Sequence, residues 1–212
     1  MQSFSDVLQY LPLFYSGIGM TVLLWLASLA VATILGLLLA LATWSSIPVL
    51  SQAASAYILL IRGVPILVQI FYIYFLLPSI GVTLPAYWAA VAGLGLAFSA
   101  YMAEVFRAGI LAVDTGQVEA ATSLAMPRLM IARRVIVPQA VRTALPGYSN
   151  IVVMILKTTS LASVIAVPEM SRTAFLLVQA TYKSIELFTL LALLYIAISI
   201  PLIIVIRQME RR

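Results

Sequence analysis

The chain has 212 residues, 64% of them hydrophobic and 9% charged, with a mean hydropathy of +1.13. A soluble domain carries about a quarter charged residues, so the composition excludes a single aqueous core and points to a bilayer as solvent; the net charge of +5 then encodes membrane topology rather than a nucleic-acid footprint. The absence of His and Cys excludes Ser-His catalysis, disulfides and His- or thiolate-bound metal, so neither a catalytic residue nor a metal is expected.

In chain order, the N-terminal MQSFSDVLQY has no Lys or Arg, so it lacks the basic region of a signal peptide, and the first apolar stretch is expected to remain as an anchor. A helix crosses the hydrocarbon core with about 20 apolar residues. Five spans are predicted, at 17–42, 54–77, 87–108, 145–167 and 185–206. The first carries Gly36 and other small residues suited to close helix contact. The second is interrupted by Arg62, Gly63 and Pro65, and the third is rich in Gly and Ala. Tyr10, Tyr15, Tyr87 and Trp88, near span ends, read as interface belts. No soluble domain, repeat or low-complexity tail is visible. The fold class is an all-α integral membrane protein forming a single transmembrane domain over 1–212, and every connection is short except 110–142.

With the N-terminus outside, Arg62, Arg107, Arg128, Arg133, Arg134, Arg142, Arg207, Arg211 and Arg212 fall on the cytoplasmic side, against Arg172 and Lys183 outside. That positive-inside split puts the C-terminus in the cytoplasm and makes the 116–138 segment cytoplasmic. Asp114 followed by Gln117 has the spacing of a capping box, and 117–124 reads as a short helix with Val118, Ala121 and Ala125 on one face and Leu124 beside them. Pro127 is expected to stop it and to open a second helix from its first turn, and Pro138 to mark the next break. The periodicity fits a docking knob for a partner; it also fits a connector whose arginines rest on lipid headgroups.

The segment resembles the EAA motif of ABC importer permeases, the inner-membrane subunits of binding-protein-dependent uptake systems: Glu119-Ala120-Ala121, Ala125 at the family's Gly position, then Val135-Ile136-Val137-Pro138. Arg62-Gly63-Val64-Pro65 with Val68-Gln69 is similar to RGTPxLVQ of the polar amino acid (histidine/glutamine/arginine-type) branch. Glu104, Arg107 and Gly109-Ile110 look like its ExxRxGI, Pro138-Gln139-Ala140 with Leu145-Pro146 like its PQAxRxxLP, and Leu156-Lys157-Thr158-Thr159-Ser160-Leu161 like its LKDTSL. Two departures stand out. Ala125 for Gly removes easy access to positive φ, so the turn there is expected to differ. Thr158 stands at the family's Asp, leaving Lys157 to find another partner or face water.

The resemblance implies a type I ABC importer-like transmembrane domain of about five helices with a cytoplasmic coupling helix, in the cell inner membrane. Its partners would be two ATPase subunits, a second permease copy or a homologous permease, a solute-binding protein outside, membrane lipid and an amino acid substrate. Gln117, Glu119, Ala120, Ala121, Leu124, Ala125, Met126 and Pro138 would couple to the ATPase, with Ala121 against its groove wall. ATP and Mg would sit on the ATPase. Independently, this chain has no GxxxxGK[ST] phosphate cradle, since its lysines are Lys157 and Lys183 and neither follows such a run.

A zwitterionic substrate needs polar groups inside apolar spans, where they are costly. Lys157 is the one ionised residue deep in a predicted span, near Thr158, Thr159 and Ser160, and Gln69, Tyr72, Ser99 and Asn150 are further candidates for the substrate path. The competing reading has Lys157 paired structurally with a helix end or with Glu104. The alternative function is a gradient-driven secondary transporter or channel, which would predict inverted repeats or an acidic relay. An intramembrane enzyme lacks paired carboxylates within one helical turn.

Overall fold

Small residues recurring every third or fourth position let the long apolar helices of this chain approach closely. A computed structural model describes residues 9–210. Among these residues all regular structure is helical. After a 3₁₀ turn, α1 runs Phe14–Trp44 and buries Gly17, Thr21, Ser28, Ala32, Gly36 and Ala40 along one stripe. It packs against α4, Ala86–Leu111, the most buried helix of the fold. Notches fix the contact in both directions. A Cβ added at Gly36 would lie 2.4 Å from Met102 Cβ, and one at Gly95 would lie 2.5 Å from Val31.

Between them lies the interrupted stretch. α2, Pro48–Gly63, and α3, Ile66–Phe71, extended by irregular helical turns to Ile80, meet at an angle of 103°. The predicted second span is therefore a broken one. The cause is Val64-Pro65: the residue before a proline is pushed out of the α region, and the proline supplies no N–H; Val64 is extended at φ −107, ψ 132. Gln69 repairs the break. Its Nε2 donates to Ile61 O at 2.8 Å and to Val64 O at 2.9 Å, carbonyls that the interrupted helix leaves without partners. α3 seats Ile70 in the notch at Gly93 of α4.

Beyond α4 come α5, Thr115–Ser123, and α6, Arg128–Ile131. A π turn, Ala132–Ile136, leads into α7, Val137–Thr158, so the backbone is helical without interruption from Arg128 to Thr158. Pro138 thus marks no break; it stands in the first turn of α7 directly after the π turn, where the ladder has already shifted from its regular α pattern. Pro146 lies inside the same helix. α7 packs on α4 through Gly109, whose added Cβ would meet Ala140 O at 2.6 Å, and through Gly147 against Val105.

A 3₁₀ segment, Thr159–Ile165, ends α7. α8, Met170–Thr181, follows, and then α9, Ser184–Glu210. α8 lies between the fourth and fifth predicted spans, in a connection that the sequence pattern predicts to be a short link. The four straight stretches long and apolar enough to cross a bilayer are Leu11–Trp44, Ala86–Leu111, Arg128–Ile165 and Ser184–Gln208, and the bent pair makes five. Each predicted span lies within one of these stretches except the fourth, whose last two residues, Ala166 and Val167, fall just past Ile165, where the helix ends.

Glycines of α1 give a prediction of opposite signs. Nothing lies within 4 Å of a Cβ built at Gly19, so Gly19→Ala should raise stability by about 0.5–1 kcal/mol through helix propensity. Gly36→Ala should lower it by about 1–3 kcal/mol through overpacking. Thermal unfolding of the purified chain in detergent reads both; equal shifts would contradict the packing.

Candidate functional site

The segment between α4 and α7 is built as a cap, a helix, a reversal and a second turn. Asp114 precedes α5, and its Oδ1 accepts from Gly116 N at 2.8 Å. The reciprocal arm of a capping box is not formed. Gln117 Oε1 instead accepts from Gln139 Nε2, which also donates to Val135 O at 2.9 Å. Gln139 therefore fastens the start of α5 to the foot of α7, a link that local spacing in the sequence does not reveal.

α5 ends in a Schellman motif. Ala125 N donates to Thr122 O at 2.9 Å and Met126 N to Ala121 O at 3.2 Å. The residue between helix and turn, Ala125, sits at φ +56. The left-handed conformation expected to be lost with glycine is thus kept, because two backbone bonds hold it against a cost of roughly 1–2 kcal/mol. Pro127 is not in the first turn of α6 but immediately before it, at ψ 147, with its carbonyl accepting from Met130 N and Ile131 N.

Which face of α5 points outward differs from the expectation. Ala121 is 5% exposed, and α5 rests on α6 and the π turn. Outward stand Glu119 and Ala120, followed past the helix by Leu124 at 77% and, on α6, Leu129 at 81% exposure. Leu124 does not share the buried side with Ala121. Arg128, Arg133 and Arg134 are exposed around them. Large apolar side chains this exposed beside arginines suit a protein groove or a headgroup layer.

The second feature is a cleft of about 520 Å³ between α7 and α9, lined by Asn150, Met154, Lys157, Ile203, Arg207 and Glu210 among others. Lys157 is exposed to it and makes no ion pair among the described residues. The partner considered for it, Glu104, pairs with Arg107 at 2.8 Å. Thr158 and Ser160 follow, with hydroxyls bonded back to Met154 O and Lys157 O. Of the further candidates, Asn150 shares the cleft. Gln69 is committed to the α2–α3 break, and Ser99 donates to Leu96 O at 2.7 Å beside Tyr57. Neither borders the cleft.

One polar group escaped the sequence reading. Glu169, fully buried, opens α8. Its Oε1 accepts from Arg172 N at 2.7 Å, and its Oε2 accepts from Ser171 N at 2.8 Å and from Tyr195 OH of α9 at 3.2 Å. Next to it Met170 N donates to Thr21 Oγ1 of α1 at 3.2 Å. Burial pushes the carboxyl above its ordinary range, opposed by these donors. A glutamate is an unusual helix cap, and it follows the predicted fourth span by two residues, so no start signal drew attention to it.

Against known proteins, residues 32–212 match the family model described as binding-protein-dependent transport system inner membrane component. The chain belongs to this family. Among its relatives are the octopine transport system permease protein OccM of Rhizobium meliloti, 41% identical over 87% of this chain and 79% of that protein, and the L-cystine transport system permease protein TcyL of Bacillus subtilis, 35% identical over 96% and 88%. A chain from the crystal structure of an amino acid ABC transporter with histidines superposes with a TM-score of 0.94, at 39% identity, over 100% of this chain and 99% of that one. A chain of the MetNI methionine ABC transporter in an inward-facing form, at 16% identity, has a TM-score of 0.81 and shares the fold. Membership of the family decides against the gradient-driven alternative. It also makes the chain a multi-pass inner-membrane component with the type I ABC importer fold.

In this family member Ala125→Gly should relieve the strained turn by about 1 kcal/mol. Hydrogen exchange at the amides of Ala125 and Met126 should slow about fivefold; faster exchange would show that the turn is unstrained.

Proposed function

We propose that the chain is the permease subunit of an ATP-driven, binding-protein-dependent amino acid importer. The observation that carries this is the whole-length likeness, at 39% identity, to a chain of an amino acid ABC transporter. Relatives named for octopine and L-cystine transport support an amino acid or amino acid derivative as cargo.

In this reading two ATPase subunits, which carry ATP and Mg, receive α5 from each of two permeases, either two copies or a related pair. A solute-binding protein delivers cargo from outside. The contact face is the exposed one: Glu119, Ala120, Leu124 and Leu129, with Gln117 and Pro138 fixing the foot of α7 and Ala125-Met126 closing the turn. Ala121 acts from inside, as the packing surface that holds α5 in place. The cargo's carboxylate meets Lys157, with Asn150, Thr158 and Ser160 nearby. Gln69 and Ser99 hold the scaffold.

Uptake and ATPase activity of the reconstituted complex test the coupling face. Ala120→Trp should weaken ATPase retention about 5- to 150-fold, the size of a 1–3 kcal/mol steric penalty, and Leu124→Asp should do likewise; Glu119→Ala should act more mildly. Wild-type uptake and stimulation in both of the first two would refute the contact face. In the same assay Lys157→Met should lower uptake and leave ATPase retention intact; undiminished uptake would remove Lys157 from the path.

The charge split supports an outside N-terminus. The chain has no cysteine, so single cysteines at Ser79, before α4, and at Ser123, in α5 beyond its other end, should react with impermeant reagents from opposite sides, Ser123→Cys from the cytoplasm. Labelling of both from one side would discard this topology.

A further inference from the structure

Arg62, in the last turn of α2, has no carboxylate partner and no hydrogen bond among the described residues; its guanidinium lies over the Tyr101 ring at 5.4 Å. An exposed, unpaired arginine on a membrane-embedded chain calls for a counter-charge. Beside it is a cavity of about 340 Å³, lined by Thr43, Ser55, Arg62, Glu104 and Arg107 with two apolar residues of α2. Arg107 gives one nitrogen to Glu104 at 2.8 Å and keeps the rest of its fork. Two guanidiniums against one carboxylate leave the cavity one positive charge in excess, with two hydroxyl side chains on its wall.

Depth says which anion is at hand. α4 has 26 residues, about 39 Å of helix, against a hydrocarbon core of about 30 Å. Glu104 and Arg107 lie about 10 and 6 Å before its end, the end that leads into α5, and a long arginine side chain from that depth extends toward the headgroup level. Thr43 and Arg107 also line a smaller adjoining pocket, of about 110 Å³, with Trp44, Ile110 and Leu111. Trp44 and Leu111 are 51% and 63% exposed. A tryptophan at this level belongs to the interface belt, and the apolar shelf leads away from the charged cavity as an acyl chain leaves its phosphate.

We propose that the Arg62–Arg107 cavity holds the phosphate of an anionic phospholipid from the leaflet facing α5, its acyl chains lying along Trp44 and Leu111. The forked guanidinium of Arg62 takes two phosphate oxygens. Arg107 supplies the second charge, and Glu104 keeps Arg107 turned toward the cavity. The site is separate from the Lys157 cleft and depends on the chain spanning a bilayer, not on what it carries.

Native mass spectrometry of the full chain, exchanged from detergent into mixed phosphatidylglycerol and phosphatidylcholine, measures it. The wild type should retain phosphatidylglycerol in preference to phosphatidylcholine. Arg62→Gln should weaken that retention about fivefold, the worth of one basic residue at an anionic surface, and Arg62→Lys, which keeps charge and loses the fork, should fall between. Arg62 makes no hydrogen bond or ion pair among the described residues, so these variants should keep the fold, and an unchanged unfolding midpoint checks it. Equal retention of phosphatidylglycerol by wild type and Arg62→Gln overturns the proposal. So does displacement of the lipid by millimolar inorganic phosphate, which would make this a free-anion site, or by a millimolar amino acid, which would make it part of the cargo path.

Discussion

Everything in this fold hangs on the close approach of α4 to its neighbours. In a bilayer, water does not drive helices together, so contact depends on how nearly their backbones can meet. Glycines set that distance here. Gly36 of α1 receives Met102, while Gly95, Gly93 and Gly109 of α4 receive Val31, Ile70 and the backbone at Ala140. One helix thereby fixes the positions of three, and the charged cavity, the cleft and the exposed knob are all referred to it.

The same environment explains why most interior polar groups are engaged, Ser28 and Ser199 being buried hydroxyls without a partner among the described residues. Hydrocarbon offers no substitute partner for an abandoned N–H or carbonyl. Trp25 Nε1 reaches Val152 O at 2.9 Å, Tyr57 OH reaches Leu96 O at 3.1 Å, and Gln69 serves two carbonyls at once. Glu169 does the most, joining the start of α8 to α9 while the adjacent backbone holds α1. Side chains that look like ligands in a hydropathy plot are here the means by which irregular backbone survives in lipid. Lys157 and Arg62 differ because each faces a cavity and makes no ion pair among the described residues.

Much of the architecture was legible because apolar length is a strong signal. The spans at 17–42, 87–108 and 185–206 each fall inside an observed helix, which overruns them where the chain enters the interface. The Arg-Gly-Val-Pro interruption was legible as a break, but not its angle, which depends on where α3 finds a notch. α8 was illegible: twelve residues, capped by a glutamate, are too short for a span and lack the usual start signal. At Ala125 local preference misled, since two backbone bonds outweigh the dislike of a side chain for positive φ. At the knob, periodicity identified a helix with a small-residue face but not whether that face meets a partner or the chain itself; the Gln117–Gln139 bond to the foot of α7 and the inward Ala121 against α6 and the π turn are contacts that no local pattern encodes.

The unbroken run from Arg128 to Thr158 has a mechanical consequence. From Val137 to Lys157 is about 30 Å of continuous helix, footed in the exposed knob and ending at the cleft. As a lever pivoting at its foot, such a rod turns a tilt of about 6° into roughly 3 Å of travel at the lysine. Gly109, against Ala140, and Gly147, against Val105, seat the lower half of the rod on α4. Pro146, one residue before the second seat, lacks the N–H that would bond the carbonyl four residues back, so the shaft is weakest there.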